Sequence, residues 1–192
     1  NVFVYSNSQI STTGAVITDG MNAPALLAQS IGGGGGNGGS SSSTTGTGGS
    51  NAVAFGLGGS GGNGGAGLAV SVATNQVGSL ITTYGAQSHG IFAQSVGGGG
   101  GNGGSSSTNL FGAASQQISH LLGGFGGSGG AGNTVTIDAS GTSTVLQTFG
   151  QNAIGIFAQS VGGGGGSASN IINGPSVGGS NAATFALVSD GS

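Results

Sequence analysis

The sequence predicts an all-β protein, a parallel β-helix or β-solenoid with glycine-rich extended segments of polyglycine II type between its blocks of strands. Three observations predict this fold: a repeat of 65 residues, short segments in which apolar and polar residues alternate, and glycine tracts that recur in phase with the repeat. Gly supplies 50 of the 192 residues. This share far exceeds ordinary usage, and because the glycine recurs in phase with the repeat, we interpret it as part of the scaffold.

The repeat is defined by one anchor string, AQS followed by Ile or Val and five Gly. Its copies begin 65 residues apart and occupy 28–36, 93–101 and 158–166. SNAVAF from Ser50 recurs two periods later as SNAATF from Ser180. Repeats that stack on one another share a continuous core, so we interpret residues 1–192 as a single repetitive solenoid segment of about three repeats, a slice of a longer array.

Alternating segments predict the strands. They are VFVY from Val2, AVSVAT from Ala69, TVTIDA from Thr134, and GIFAQSV from Gly90 and from Gly155. In GIFAQSV, alternation places Ile, Ala and Ser on one face and Phe, Gln and Val on the other.

Two other local signals interrupt the strand pattern. Asp-Gly at Asp19 and at Asp190 predicts tight turns. The strongest helical window, AASQQISHLL at 113–122, predicts one or two helical turns.

We predict the number of coils per repeat from the average length of a β-helix coil. A β-helix coil takes about 20 residues, so one repeat predicts roughly three coils. Stacked strands are about 4.8 Å apart, so equivalent residues of successive repeats would lie about 14 Å apart. Gln29, Gln94 and Gln159 would then not be direct neighbours.

The glycine tracts are of two kinds, and the second kind has a period of three residues. GGGGG followed by NGG begins at Gly32 and Gly97, and Gly-Gly-X triplets begin at Gly58 and Gly126. This period matches the extended threefold helix of polyproline II type, whose glycine faces would allow close approach and N–H···O contacts. Ordered glycine helices or glycine-lined turns are one alternative, and mobile linkers are the other.

Composition excludes several functional classes. The chain has no Lys, Arg or Cys, and Asp supplies its only three acidic residues. It therefore lacks the cations that bind nucleic acid or anionic lipid, and it has no thiol chemistry. No apolar run is long enough to span a membrane, and NVFVYSNSQI has no basic region of a signal peptide.

The titratable residues do not form a convincing catalytic set. His89 aligns with Pro24 and Ile154 in the other repeats, which predicts a surface turn. A Ser-His-Asp site from His120, Asp138 and one of many Ser residues has almost no specificity, and the three Asp fall at different phases of the repeat. Ser, Asn or Ala stands where calcium-binding glycine repeats place Asp. We predict no catalytic, cofactor-binding or metal-binding residue.

The phenylalanines recur in phase with the repeat. Phe55 shares a phase with Phe185, and Phe92 shares one with Phe157. We interpret them as core stacks or hydrophobic caps, with an exposed adhesive or sugar-binding surface as the alternative.

The segments GAQSHGIFAQSVGGGGG and GQNAIGIFAQSVGGGGG resemble the glycine-rich repeats of large bacterial autotransporter passengers. The first copy, GMNAPALLAQSIGGGGG, departs at Ala25 and Leu26, where the other copies have Gly and Ile. The resemblance covers nearly the whole chain. It implies a right-handed parallel β-helix exported to the cell surface by type V secretion, often an adhesin or a biofilm factor. The signal peptide and translocator barrel of such proteins are absent, as expected of a passenger segment.

The leading hypothesis is an extracellular structural or adhesive protein of the bacterial cell surface rather than an enzyme. Its expected partners are further copies of itself or surface glycans of a host or matrix. The unguarded strand edges favour end-to-end association. The alternative is a ligand-binding glycine-helix module, such as a phage receptor-binding fibre or an ice-binding protein. Ranks of Thr-x-Thr would favour ice binding, but Thr134 and Thr136 are isolated.

Overall fold

The structure is a computed structural model and describes residues 8–11, 15–46, 48, 51–74, 80–112, 116–140, 145–173 and 181–187. These residues contain strands and no helix, and all strand pairs are parallel, so the all-β prediction is confirmed. The described strands are β1 (Ser8–Ser11), β2 (Ala15–Thr18), β3 (Leu26–Ile31), β4 (Ser41–Gly46), β5 (Asn51–Leu57), β6 (Val70–Ala73), β7 (Leu80–Thr83), β8 (Ile91–Val96), β9 (Ser106–Phe111), β10 (Gln116–Leu122), β11 (Val135–Asp138), β12 (Val145–Thr148), β13 (Ile156–Val161), β14 (Ile171–Asn173) and β15 (Asn181–Leu187).

The described strands form five three-stranded sheets, and each sheet takes one strand from each third of the chain. Their orders are β1-β6-β11, β2-β7-β12, β3-β8-β13, β4-β9-β14 and β5-β10-β15. Nine of these ten strand pairs join residues 65 positions apart, and the β1–β6 pair joins residues 62 apart. The spacing of the anchor strings therefore equals the pairing offset in those nine pairs.

The prediction of three coils per repeat is wrong, because equivalent residues of successive repeats are direct neighbours. Gln29 pairs with Gln94, and Gln94 pairs with Gln159. Each repeat supplies one strand to each of the five sheets, with two glycine tracts in between. The 65 residues that the average of about 20 would have spread over three coils therefore supply five strands that each pair one repeat away.

The chain divides into two compact units, and each unit draws one segment from every repeat. The first comprises 1–32, 66–97 and 131–162, and the second comprises 33–65, 98–130 and 163–192. That the whole chain is a single solenoid segment stays a prediction.

The first unit holds three of the sheets and a core of aliphatic residues. Strand alternation is confirmed there: Ile91, Ala93 and Ser95 are buried, and the residues between them face outward. The buried members of the core cluster are Leu26, Ala28, Val70, Val72, Ile81, Ile91 and Ala93. Apolar side chains at equivalent positions stack on one another between layers, as Leu26, Ile91 and Ile156 do, so the core continues along the stack.

The second unit holds the other two sheets and the glycine tracts. Tracts at 33–40 and 58–65 run antiparallel and pair through main-chain hydrogen bonds at every third residue. Within this pair, Gly59, Gly62 and Gly65 donate to the carbonyls of Gly39, Gly36 and Gly33 at 2.7–2.8 Å. The next pair repeats the pattern, since Gly98, Gly101 and Gly104 donate to Gly65, Gly62 and Gly59.

A second set of hydrogen bonds joins each tract to its equivalent one repeat later. Gly35 donates to Gly99 at 2.7 Å, and Gly100 donates to Gly164 at 2.8 Å. Successive residues of a triplet thus donate in different directions, since Gly100 donates to Gly164 and Gly101 donates to Gly62. These bonds give partners to the amide groups of a segment that has few side chains.

The helical prediction at 113–122 is wrong where the structure describes it, because residues 116–122 form β10. Gln117, Ser119 and Leu121 are buried with a period of two, and β10 pairs with β5 on one side and β15 on the other. Pairing along both edges overrides the weak local propensity. Residues 113–115 lie outside the described residues.

Of the remaining local predictions, the turn at Asp19 falls on described residues, and two others do not. Asp19 and Gly20 lead into a turn in which Asn22 has a φ of 52°. The predicted strand VFVY from Val2 and the predicted turn at Asp190 lie outside the described residues.

Candidate functional site

The most distinctive surface among the described residues is the outer face of the β5-β10-β15 sheet in the second unit. Alternation places Ala52, Ala54 and Gly56 of β5 inside and the residues between them outside. The six large outward residues toward the carboxyl ends of the strands form what we call the aromatic–leucine face. They are Phe55, Leu57, His120, Leu122, Phe185 and Leu187.

An aromatic column forms one row of this face. His120 lies between two phenylalanines, with ring centroids 5.3 Å from Phe55 and 5.2 Å from Phe185, and both interplanar angles are 10°. The rings stack along the direction in which the strands stack. Their faces therefore cover one another, and the column presents ring edges to the solvent.

The prediction that Phe55 and Phe185 are core residues is wrong, because their exposed fractions are 69% and 58%. The interior beneath them is narrow: a Cβ on Gly56 would lie 3.1 Å from Leu121 Cδ2 and 3.2 Å from Ser106 Cβ. A large ring does not fit there, so the alternation directs the rings outward.

A leucine row runs beside the aromatic column. Leu57, Leu122 and Leu187 pair in register, and Leu57 and Leu187 are 65% and 68% exposed. A contiguous apolar surface of this kind is typical of an interaction site.

The first unit carries a different aromatic column, which is less exposed. His89 stacks on Phe92 and Phe157, with ring centroids 5.8 and 5.6 Å away, and the two phenyl rings are 4.9 Å apart. His89 Nδ1 accepts a hydrogen bond from the Ile154 amide at 3.0 Å. These rings are half-buried, and His89 lies in the connection before β8, as its alignment predicts.

A ladder of glutamines lies on the same outer face as Phe92. Gln29 Nε2 donates to Gln94 Oε1, and Gln94 Nε2 donates to Gln159 Oε1, both at 2.6 Å. Gln94 both accepts and donates within the ladder, whereas Gln29 donates and Gln159 accepts. The ladder therefore ties layers together.

The two titratable residues considered for catalysis lie in different compact units. His120 belongs to the aromatic column of the second unit, whereas Asp138 ends β11 in the first unit. Among the described residues, no three or more His, Cys, Asp or Glu side chains gather into a group that could hold a metal ion. Hydrogen bonds from the Ser140 side chain and then from its amide lower the pKa of the exposed Asp138 carboxyl.

The middle strand of the aromatic–leucine face is the part that sequence reasoning missed. SNAVAF and SNAATF identify the outer strands, but the middle copy reads QQISHLL and has lost the motif. The spacing of the leucines could have identified this middle strand, because Leu57, Leu122 and Leu187 are each one period apart.

No family model, curated protein or solved structure matches the chain. In the part of the chain that the structure describes, no helix is long and apolar enough to cross a membrane.

Proposed function

We propose that the chain is part of an extracellular structural or adhesive protein, a repeat stalk or fibre of the bacterial cell surface that acts in adhesion or biofilm formation. The observation that carries this proposal is that every described sheet takes one strand from each repeat. A structure built in this way lengthens by adding equivalent layers, each of which stabilises the next. The resemblance of the anchor strings to autotransporter passengers supports export by type V secretion.

The fold that we propose for this stalk is a β-solenoid in which one 65-residue repeat makes one coil, with polyglycine II-like segments between blocks of strands. The pairing offset and the two directions of glycine hydrogen bonding support it. The same bonds favour ordered glycine helices over mobile linkers.

Side-chain exposure supports growth by stacking. Ile91 in the middle strand of its sheet is 1% exposed, whereas the equivalent Ile156 is 44% exposed. A further layer, from the same array or from a second copy, would bury Ile156 in the same way. Because the chain has no Lys or Arg, no basic side chain on such an edge strand opposes its pairing with another chain.

The partners that we propose are further copies of the chain or surface glycans, with no role for nucleic acid, a cofactor or membrane insertion of this segment. The aromatic columns favour self-association. A sugar that stacks on an aromatic ring needs a free ring face, and the stacking covers both faces of His120 and one face each of Phe55 and Phe185.

Electron microscopy and fibre diffraction of concentrated protein test this proposal. We expect unbranched filaments whose axial spacing is about 4.8 Å. Compact particles of constant mass at every concentration would contradict it.

A second candidate is a ligand-binding glycine-helix module, and the outward positions of the glycine tracts favour it. They carry small uncharged residues, such as Asn37 above Asn102 and Asn63 above Ser128. An ice-recrystallisation assay tests the ice-binding form of this candidate, and normal crystal growth would remove it. Thr136 pairs with Ser71, so no rank of Thr lines that strand.

The proposal assigns the chain no enzymatic activity. Glycoside and ester substrates should give the same background turnover with the native chain and with a variant carrying His120→Ala and Asp138→Asn. A loss of turnover in that variant would overturn this part of the proposal.

A further inference from the structure

We infer that the aromatic–leucine face is a lateral self-association surface, and that its occupant is the same face of a second copy of this chain. The inference rests on the proposed function, since it specifies how stalks would join side by side. End-on stacking uses the edges of the sheets, whereas this surface is the outer face of one sheet.

Charge is the first argument for a second copy. The face carries no carboxylate, and the chain has no Lys or Arg anywhere. A charged partner would lose hydration on this surface and gain no ion pair in return. A second copy brings an equally neutral apolar surface, so the interface leaves no charge unpaired.

Shape is the second argument. The aromatic column is a tall row and the leucine row beside it is a lower one, and a shallow groove is lined by both. A twofold axis parallel to the stacking direction and midway between the rows reverses their order in the second copy. The aromatic column of one copy then faces the leucine row of the other. Because both copies have the same layer spacing, every layer makes the same contact.

Area decides how strong this contact is. Strands about 4.8 Å apart with about 3.3 Å per residue give the sheet a footprint of roughly 330 Å² on each copy. The total is about half of what a stable interface buries, which is at least about 1,200 Å². A segment with three strands per sheet therefore associates weakly, and affinity rises with the number of layers.

Sedimentation velocity over a wide concentration range tests the inference with two matched triple variants. In the first, Leu57, Leu122 and Leu187 are each replaced by Thr, which keeps β-propensity and removes the leucine row. In the control, Ile31, Val96 and Val161, an aliphatic row of the first unit, are each replaced by Thr. We expect at least tenfold weaker association of the first variant and native-like association of the control. Circular dichroism checks that both variants fold.

Lateral association, as the cross-linking below identifies it, that survives the first variant or falls equally in the control would overturn the inference. A native chain that stays monomeric at all concentrations would overturn it as well. The proposed stalk is tested separately by the filaments, which would still form end-on without the leucine row.

Cross-linking distinguishes lateral from end-on contacts. The chain has no Cys, so Leu122→Cys and Val96→Cys each introduce a unique thiol. Faces packed about 10 Å apart bring the Leu122→Cys thiols within reach of a short bismaleimide.

End-on stacking separates equivalent thiols by the same three layers in both variants and cross-links them alike. We expect a clearly higher yield of cross-linked dimer for Leu122→Cys than for Val96→Cys, and equal yields would refute the lateral contact. Dimer yield that falls on adding neutral oligosaccharide or phosphatidylcholine vesicles would show that a sugar or a lipid is the occupant instead.

Discussion

At the scale of single residues, some positions of a glycine tract require glycine and others do not. At Gly101, an added Cβ would lie less than 3.0 Å from the carbonyl oxygens of Gly36 and Gly35. At Gly99, two residues earlier, the nearest atom to an added Cβ is the Gly164 oxygen at 3.6 Å, an ordinary contact. The first position requires glycine because main chains meet there, and the second does not.

Alanine substitutions at these two positions should therefore have opposite results. Gly101→Ala forces backbone apart in a close-packed region, and we expect it to lower the free energy of unfolding by about 3 kcal/mol or more. Gly99→Ala meets no obstacle and restricts the unfolded chain, so we expect a change between zero and a gain of about 1 kcal/mol. Urea denaturation measures both, and equal losses would show that the tract is not packed as described.

A residue-scale prediction concerns pH. Hydrogen bonds from Ser140 lower the pKa of Asp138 in the folded state. The carboxylate therefore stabilises the fold fully at pH values above the pKa that Asp138 has in the unfolded chain. This contribution disappears as the pH falls through the lower, folded pKa. Ser140→Ala removes the side-chain donor and keeps the amide, so the Asp138 pKa should rise part of the way to its ordinary value. NMR titration of the carboxyl group measures this shift, and an unchanged midpoint would contradict the assignment.

At the scale of elements, stacking partners decide conformation more than local propensity does. The sequence predicts the strands around Val72, Ile137 and Ile91 correctly because alternation and an aliphatic face occur together there. In β10 the inward residues are Gln117, Ser119 and Leu121, so the apolar signal is weak and the window reads as helix. Only the period of the repeat places that strand between its two neighbours.

The glutamine ladder has a direction, which gives an element-scale prediction. Gln94→Glu keeps the acceptor for Gln29 but loses the donor and places a carboxylate against Gln159 Oε1. We expect the free energy of unfolding to fall by about 1–2 kcal/mol at neutral pH and to recover in acid, where the protonated carboxyl can donate again.

The matched control for the ladder is Gln159→Glu. It keeps an acceptor for Gln94 Nε2, so both ladder hydrogen bonds persist. Urea denaturation of the two variants at neutral and acid pH provides the comparison. Equal destabilisation at neutral pH would show that charge, and not the direction of the ladder, sets the cost.

At the scale of the whole molecule, the sequence predicts the length of the repeat correctly but not the number of sheets to which one repeat contributes. The anchor strings establish the offset between equivalent residues, and the pairing of Gln29 with Gln94 has that same offset. That each repeat supplies one strand to each of the five described sheets depends on where the glycine tracts lie and on what they bond to, which no local sequence pattern records. The interpretation of Phe55 and Phe185 as core stacks or hydrophobic caps misses their exposure for the same reason, because burial depends on the width left between two sheets.

The pairing offset predicts the effect of adding a layer. A second copy of residues 66–130 inserted after Gly130 leaves a Gly-Ala junction on both sides, as in the native chain. Every sheet then gains a strand whose partners stand in register. Denaturant sensitivity follows the surface exposed on unfolding, so the m-value should rise by about a third, with a higher midpoint.

The control for this insertion omits one residue of the duplicated segment. A shift of one residue turns each strand of the added layer over and exposes its apolar side chains. We expect the control to unfold at a lower urea concentration than the native chain and to aggregate. If both insertions behaved alike, the offset between repeats would not determine how layers stack, because a layer out of register would be accepted as readily as one in register.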